Sequence, residues 1–147
     1  MNSAANDSVL WQYVCSATDV VLSLKELTNL FKVLSDATRL RLINLLRTQS
    51  LCVGDLQVVL GLPQPTISQQ LAILRAAKLV RAERQGTRIC YSLSRAPLLS
   101  YPMGRFLSEI VPFFPELAAD AQKLIDFKGD SVSCSPANEE RAGSGRA

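Results

Sequence analysis

The chain has 147 residues, 48 % of them apolar and 20 % charged, with a formal net charge of +3. That is room for one domain with a sizeable core plus short extensions, and it argues against wholesale disorder. Histidine is absent, which excludes Ser-His-Asp and Cys-His catalysis and imidazole-ligated zinc; with no Gly-rich phosphate loop and no paired metal-binding carboxylates either, an enzyme is not expected. No apolar run approaches the ~20 residues of a bilayer span. Met1 to Ser8 lacks the basic flank and apolar run of a secretion signal, so a soluble, cytoplasmic chain with no membrane partner is expected. The charge is uneven: eleven basic and four acidic residues fall between Lys25 and Arg95, while the two ends together are acidic. A positive middle is what a phosphate-facing domain would carry, although basic surfaces are common on other proteins too.

In chain order, Leu24, Leu27, Leu30, Phe31 and Leu34 recur at helical spacing and predict an amphipathic helix over Leu24 to Leu34. Ser35-Asp36 can cap a second helix, Ala37 to Arg47, which should bury Leu42, Ile43, Leu45 and Leu46. A short third helix, Val53 to Leu60, carries Val53, Leu56, Val59 and Leu60 on one face. Gly61 supplies the turn after it. Pro65 suits the first turn of a fourth helix, Pro65 to about Ala77, whose inward stripe is Ile67, Leu71 and Leu74. Pro65, Thr66, Ser68 and Gln69 then point away from that stripe, leaving a polar N-terminal half exposed. Short helix, glycine turn and exposed polar helix make helix-turn-helix geometry.

From Leu79 the period changes to two. Val80, Ala82, Ile89, Tyr91 and Leu93 alternate with Arg81, Glu83, Arg88 and Ser92 around Gln85-Gly86, predicting a two-stranded hairpin whose tip displays Arg84 and Arg88. Such a hairpin is marginal alone and must pack on the helices as a wing. After Pro97, Met103, Phe106, Leu107 and Ile110 return to helical spacing; Pro112 and Pro115 interrupt it, and a shorter helix is expected over Glu116 to Phe127. The fold expected is mostly α with a small β-hairpin wing, a winged helix-turn-helix. Residues 1–20 form an N-terminal extension, residues 21–127 the domain with its dimerisation helices, and residues 128–147 a disordered tail.

Ser35-Asp36-Ala37-Thr38-Arg39-Leu40-Arg41-Leu42, leading to Leu51-Cys52-Val53-Gly54-Asp55-Leu56, resembles the ArsR/SmtB family of metal(loid)-responsive repressors. So does Gln64-Pro65-Thr66-Ile67-Ser68-Gln69-Gln70-Leu71, followed by Leu74-Arg75-Ala76-Ala77-Lys78-Leu79-Val80. The resemblance runs from about Leu24 to Leu93. It implies a homodimer built through the first and last helices, bound to operator DNA as a repressor and released by an effector.

Side-chain chemistry carries the DNA contacts. Gln64, Thr66, Ser68 and Gln69 can both donate to and accept from base edges in the major groove, where glutamine suits adenine. Gln70 stands where the family often carries histidine, nearer the flank, and suits phosphate. Arg84 and Arg88 on the wing would touch backbone or minor groove, adding affinity more than sequence reading. A dimer calls for an imperfect palindrome with half-sites about one helical turn apart.

The effector turns on Cys15, Cys52, Cys90 and Cys134, which include no Cys-x-x-Cys pair. In a reducing cytosol they should be free thiols, and any one of them alone can be a small buried hydrophobe. In the arsenic- and cadmium-responsive branches that this chain resembles, the third helix begins with Cys-Val-Cys-Asp-Leu-Cys. Here the segment reads Cys52-Val53-Gly54-Asp55-Leu56-Gln57, so the local pair is lost. Cys52 opens a helix, where a thiol pKa should be lowered. Some relatives complete such a site with N-terminal cysteines of the other subunit, a part Cys15 can take; Cys90, placed between inward Ile89 and Tyr91, should face outward. The expected site is Cys15 and Cys52 across the dimer, with Cys90, or else Cys134, as third ligand. There is no permanent cofactor; the inducer would be trivalent arsenic or antimony, or cadmium or lead, which soft thiolates select. The alternatives are a thiol-redox or sulfide-responsive repressor of the same fold and an effector-independent DNA-binding protein.

Overall fold

The structure, a computed structural model, describes residues 23–94, 104–127 and Cys134. Helix α1 spans Leu24–Leu34, α2 Ala37–Leu46, α3 Val53–Leu60 and α4 Gln64–Ala76. Strand β1 is Leu51–Cys52, β2 Val80–Gln85 and β3 Arg88–Leu93; α5 (Gly104–Ile110), a 3-10 turn (Val111–Phe113) and α6 (Pro115–Phe127) complete the described chain. Two compact units divide between Phe31 and Lys32, within α1. In the first, Ser23 and Glu26 cap α1 reciprocally: the Ser23 N–H donates to Glu26 Oε2 at 2.7 Å and the Glu26 N–H donates to Ser23 Oγ at 3.2 Å.

The second unit holds the helix-turn-helix. Asp36 caps α2 by accepting from the Arg39 N–H at 3.0 Å, as the Ser35-Asp36 break predicts. Gly61 ends α3 at a φ of 64°, the left-handed conformation that glycine adopts without a Cβ clash. At the end of α4 the left-handed residue is Lys78, at a φ of 60°, which no glycine announces in the sequence. Leu42, Ile43, Leu45, Leu56, Ile67, Leu71 and Leu74 are fully buried. They belong to the inward stripes that periodicity assigns to α2, α3 and α4. α2 packs against α4 and α6, and α3 against α4 and α6.

Polar ties fasten α2 to the C-terminal elements. Arg41 forms a two-pronged ion pair with Asp120 of α6, Nε to Oδ2 at 2.6 Å and Nη2 to Oδ1 at 2.8 Å. Asp120 is 1 % exposed, so the paired guanidinium is what lets a carboxylate sit there. The Asp120 pairing in turn pushes the Arg41 pKa up. Buried Asn44 donates to the Leu117 carbonyl, and Arg47 donates to Asn44 Oδ1 and to Ser108 Oγ of α5.

The sheet has three antiparallel strands in the order β1-β3-β2, not the two expected. β1 is only two residues long, too short to leave a periodic signal, and exists through its pairing of Leu51 with Tyr91 and Cys52 with Cys90. The hairpin register runs from Val80–Leu93 to Gln85–Arg88 and closes on Gly86 and Thr87. Ile89, expected inside, is 50 % exposed, because it lies one residue from the turn pair, where the hairpin runs out beyond its buried root at Val80 and Leu79. α6 runs one residue further N-terminal than expected, starting on Pro115, and is longer than α5. Met103 and the first twenty residues lie outside the described residues, as does the tail apart from Cys134.

Candidate nucleic-acid interface

Helix α4 begins at Gln64 with Pro65 in its first turn, so its opening N–H groups point outward unpaired by side chains. Burying Ile67, Leu71 and Leu74 forces the opposite face into solvent. Gln64, Pro65, Ser68 and Gln69 are exposed and Thr66 is half-buried. Gln70 departs from its expected place beside phosphate. It is half-buried, and its Oε1 accepts from Arg39 Nη1 at 3.0 Å, while Arg39 Nε donates to the Val33 carbonyl. Its acceptor is therefore engaged within the protein, which ties α4 to α2 and leaves only its amide donors for a phosphate. Arg39 was legible as part of the stretch Ser35 to Leu42, but not its role in setting α4.

Arg84 and Arg88 are both exposed on the wing, with Arg84 Nε donating to the Gly86 carbonyl at 3.1 Å. An open cleft connects wing and helices. Cys52, Asp55, Gln64, Thr87, Arg88 and Ile89 are among its lining residues, so a cysteine borders the same space as two of the candidate DNA contacts. Neither Asp55 nor Thr87 stood out in the sequence.

The cysteines are arranged differently from expectation. Cys15 lies outside the described residues. Cys90 does not offer an outward thiol: it is 3 % exposed and bonded to Cys134 in a disulfide with a Cα–Cα distance of 6.1 Å. Strand alternation does put Cys90 on the face opposite Val80 and Tyr91, but that face is covered there, and cysteine behaves as a small hydrophobe. Cys52 is a buried free thiol, 8 % exposed. Its pKa is raised, not lowered. Burial is the largest cause; the Asp55 carboxylate adds to it by hydrogen bond and by charge, and the backbone N–H groups of Asp55 and Gly54 pull weakly the other way. Among the described residues no group of three or more Cys, Asp or Glu is placed to hold a metal ion. With Cys90 and Cys134 joined, neither offers a thiolate to a soft ion in this form.

Three helices in sequence, a fourth with an exposed polar N-terminal face, and a β-hairpin carrying arginines define a winged helix-turn-helix. The profile of the family described as "Bacterial regulatory protein, arsR family" matches residues 36–82. The arsenical resistance operon repressor of Staphylococcus aureus is 36 % identical over 77 residues, 52 % of this chain and 74 % of that protein. The transcriptional repressor SmtB homolog of Synechocystis is 39 % identical over 70 residues, 48 % of this chain and 53 % of that protein. Among solved structures, the transcriptional repressor BigR from Xylella fastidiosa superposes with a TM-score of 0.51 at 33 % identity, covering 61 % of this chain and 84 % of that one. The chain thus belongs to the ArsR family, one of transcriptional regulators rather than enzymes. It spans about half the length of several curated relatives that it matches. Among the described residues no helix is long and apolar enough to cross a membrane.

Proposed function

We propose that the protein is a homodimeric repressor that binds an imperfect palindrome in operator DNA and releases it when its cysteines change state. The observation that carries DNA binding is the exposed row Gln64, Ser68 and Gln69 on α4, with Arg84 and Arg88 exposed on the adjoining wing. The helix enters the major groove by its N-terminal half, where glutamine amides can pair with adenine and the outward N–H groups suit phosphate. The wing arginines hold the backbone. Homodimerisation is supported by apolar side chains left uncovered on the C-terminal elements: Phe106, Phe113, Phe114 and Ile125 are exposed, Phe113 by 81 %. A second copy would cover them; a structural neighbour of the same fold from Mycobacterium bovis is a homodimeric winged helix-turn-helix DNA-binding domain.

The disulfide favours redox-controlled release. Disulfides in cytosolic proteins are usually transient and redox-sensing rather than structural, and in a cytosolic regulator the Cys90–Cys134 bond would be of that kind. Release by trivalent arsenic or antimony, or by cadmium or lead, is supported by the arsenical repressors among the relatives, but it requires Cys90 to be reduced first. Fluorescence anisotropy on the DNA upstream of the protein's own gene separates the readings. Diamide should raise the dissociation constant at least tenfold, and dithiothreitol should restore it. Release by arsenite in excess reductant, with no effect of diamide, would replace the redox reading with the metalloid one. No response to either would mean an effector-independent binder.

A further inference from the structure

Two cysteines have backbones within bridging reach of Cys90. Cys134 is bonded to it across a Cα–Cα distance of 6.1 Å. Cys52 is its direct partner in the β1–β3 ladder, and directly opposed residues in an antiparallel pair have Cα atoms about 4.5 or 5.5 Å apart. Both spacings fall in the range of about 4.4–6.8 Å that a disulfide bridges. Opposed residues also share a face of the sheet, so the Cys52 and Cys90 side chains lie on the same side. Cys52 is a free thiol. A thiol held beside a disulfide is the arrangement that exchange requires.

We infer that Cys90 changes disulfide partner, from Cys134 to Cys52, and that this transfer is the step by which the thiols act on the DNA-binding face. Cys52 loses its proton, and its thiolate attacks Cys90 Sγ. The Cys90–Cys134 bond breaks as the Cys52–Cys90 bond forms, and Cys134 leaves as a thiolate that takes up a proton. One disulfide and one thiol enter and leave, so no oxidant is consumed. The regulatory meaning of the transfer rests on the thiol-controlled release proposed above; the transfer itself does not.

The transfer matters because of what the new bond joins. Cys52 is the N-cap of α3, the first helix of the helix-turn-helix, and Cys90 belongs to the wing. Before exchange these are held by a two-residue ladder; afterwards they are covalently tied. Cys52 also borders the cleft shared with Gln64, Thr87 and Arg88. A bond formed there fixes the wing root against the helix pair that carries the reading face, and frees Cys134 at the same moment.

The test is disulfide mapping by mass spectrometry, with acid quenching and alkylation, on the full chain and two variants. Oxidised wild type incubated at pH 8.5 should accumulate Cys52–Cys90 with Cys134 newly alkylated. Cys134→Ser treated with diamide should form Cys52–Cys90 within one chain, and Cys52→Ser should keep Cys90–Cys134 without exchange. Should Cys134→Ser, with an unchanged far-UV circular dichroism spectrum, leave Cys52 and Cys90 both open to alkylation or bonded to Cys15, the transfer is overturned. Operator affinity of oxidised Cys134→Ser should differ from its reduced form at least threefold. Equal affinities, with the Cys52–Cys90 bond mapped, overturn its regulatory role. Diamide release of wild type without a mapped Cys52–Cys90 bond overturns the transfer while leaving redox-controlled release standing.

Discussion

At Cys52 two consequences of one location oppose each other. A helix N-terminus offers N–H groups to a thiolate, but the same position is buried and faces the Asp55 carboxylate, and these raise the pKa. The neutral thiol is therefore favoured by the folded state. Its contribution to stability is fully present below the unfolded thiol pKa of about 8.5 and is lost as pH rises through the higher folded value. In the reduced protein, the pH midpoint for iodoacetamide modification of Cys52 should lie above that of Cys52 in the urea-unfolded chain. Asp55→Asn, which removes the charge, should bring the folded midpoint down; an unchanged midpoint would mean that burial alone sets it. Two residues along, Gly54 stands where the resembled motif has its second cysteine. A Cβ there would lie 3.8 Å from Cys52 Sγ, ordinary van der Waals contact. Gly54→Cys should consequently fold and recover a local thiol pair. Under reductant it should bind arsenite at least about tenfold more tightly than wild type, some 1.4 kcal/mol, read from sulfur-to-arsenic charge-transfer absorption.

At the scale of elements, the Arg41–Asp120 pair decides how firmly α2 holds α6. Removing one partner of a buried pair strands the other, at a cost of about 3–5 kcal/mol. Arg41→Ala, which strands the buried Asp120 carboxylate, should lower the unfolding free energy in urea by about that much, while Arg105→Ala, in an exposed pair with Glu109, should change it by under about 1 kcal/mol. Equal effects would show that the α2–α6 tie is not a fastening. Helices α2 to α4 were legible because each buries a stripe at a 3.6-residue period, and because Asp36 marks the start of α2, Gly61 the end of α3 and Pro63 the start of α4. The exposed row on α4 followed from the same period. Three features were not legible, each for want of local signal. β1 exists only through β3; the run Ile89-Cys90-Tyr91 is apolar throughout, so alternation could not say which face was covered; and Gln70 is drawn inward by Arg39, thirty-one positions away in sequence. The disulfide is the same kind of case, since forty-four residues separate its ends.

At the scale of the whole molecule, the charge distribution makes a quantitative demand on DNA binding. Basic residues concentrate between Lys25 and Arg95, and the exposed wing contributes Arg84 and Arg88. If a dimer sets both arginines of each protomer on phosphates, four contacts come from the wings alone. Each neutralised phosphate releases condensed counterions and steepens the plot of log affinity against log salt by about 0.9. The wings should thus account for a slope of about −3 to −4, before any contribution from α4. Arg84→Ala, present twice per dimer, should flatten the slope by about 2 and weaken operator and random DNA alike. Gln69→Ala should behave in the opposite way, leaving the slope unchanged and costing about 1–3 kcal/mol on the operator only. Arg84→Ala that leaves the slope intact would remove the wing from the backbone, and Gln69→Ala that weakens random DNA equally would remove α4 from the base edges. The two variants together therefore test whether reading and holding are divided between helix and wing, the division proposed from the exposed faces of α4 and the hairpin tip.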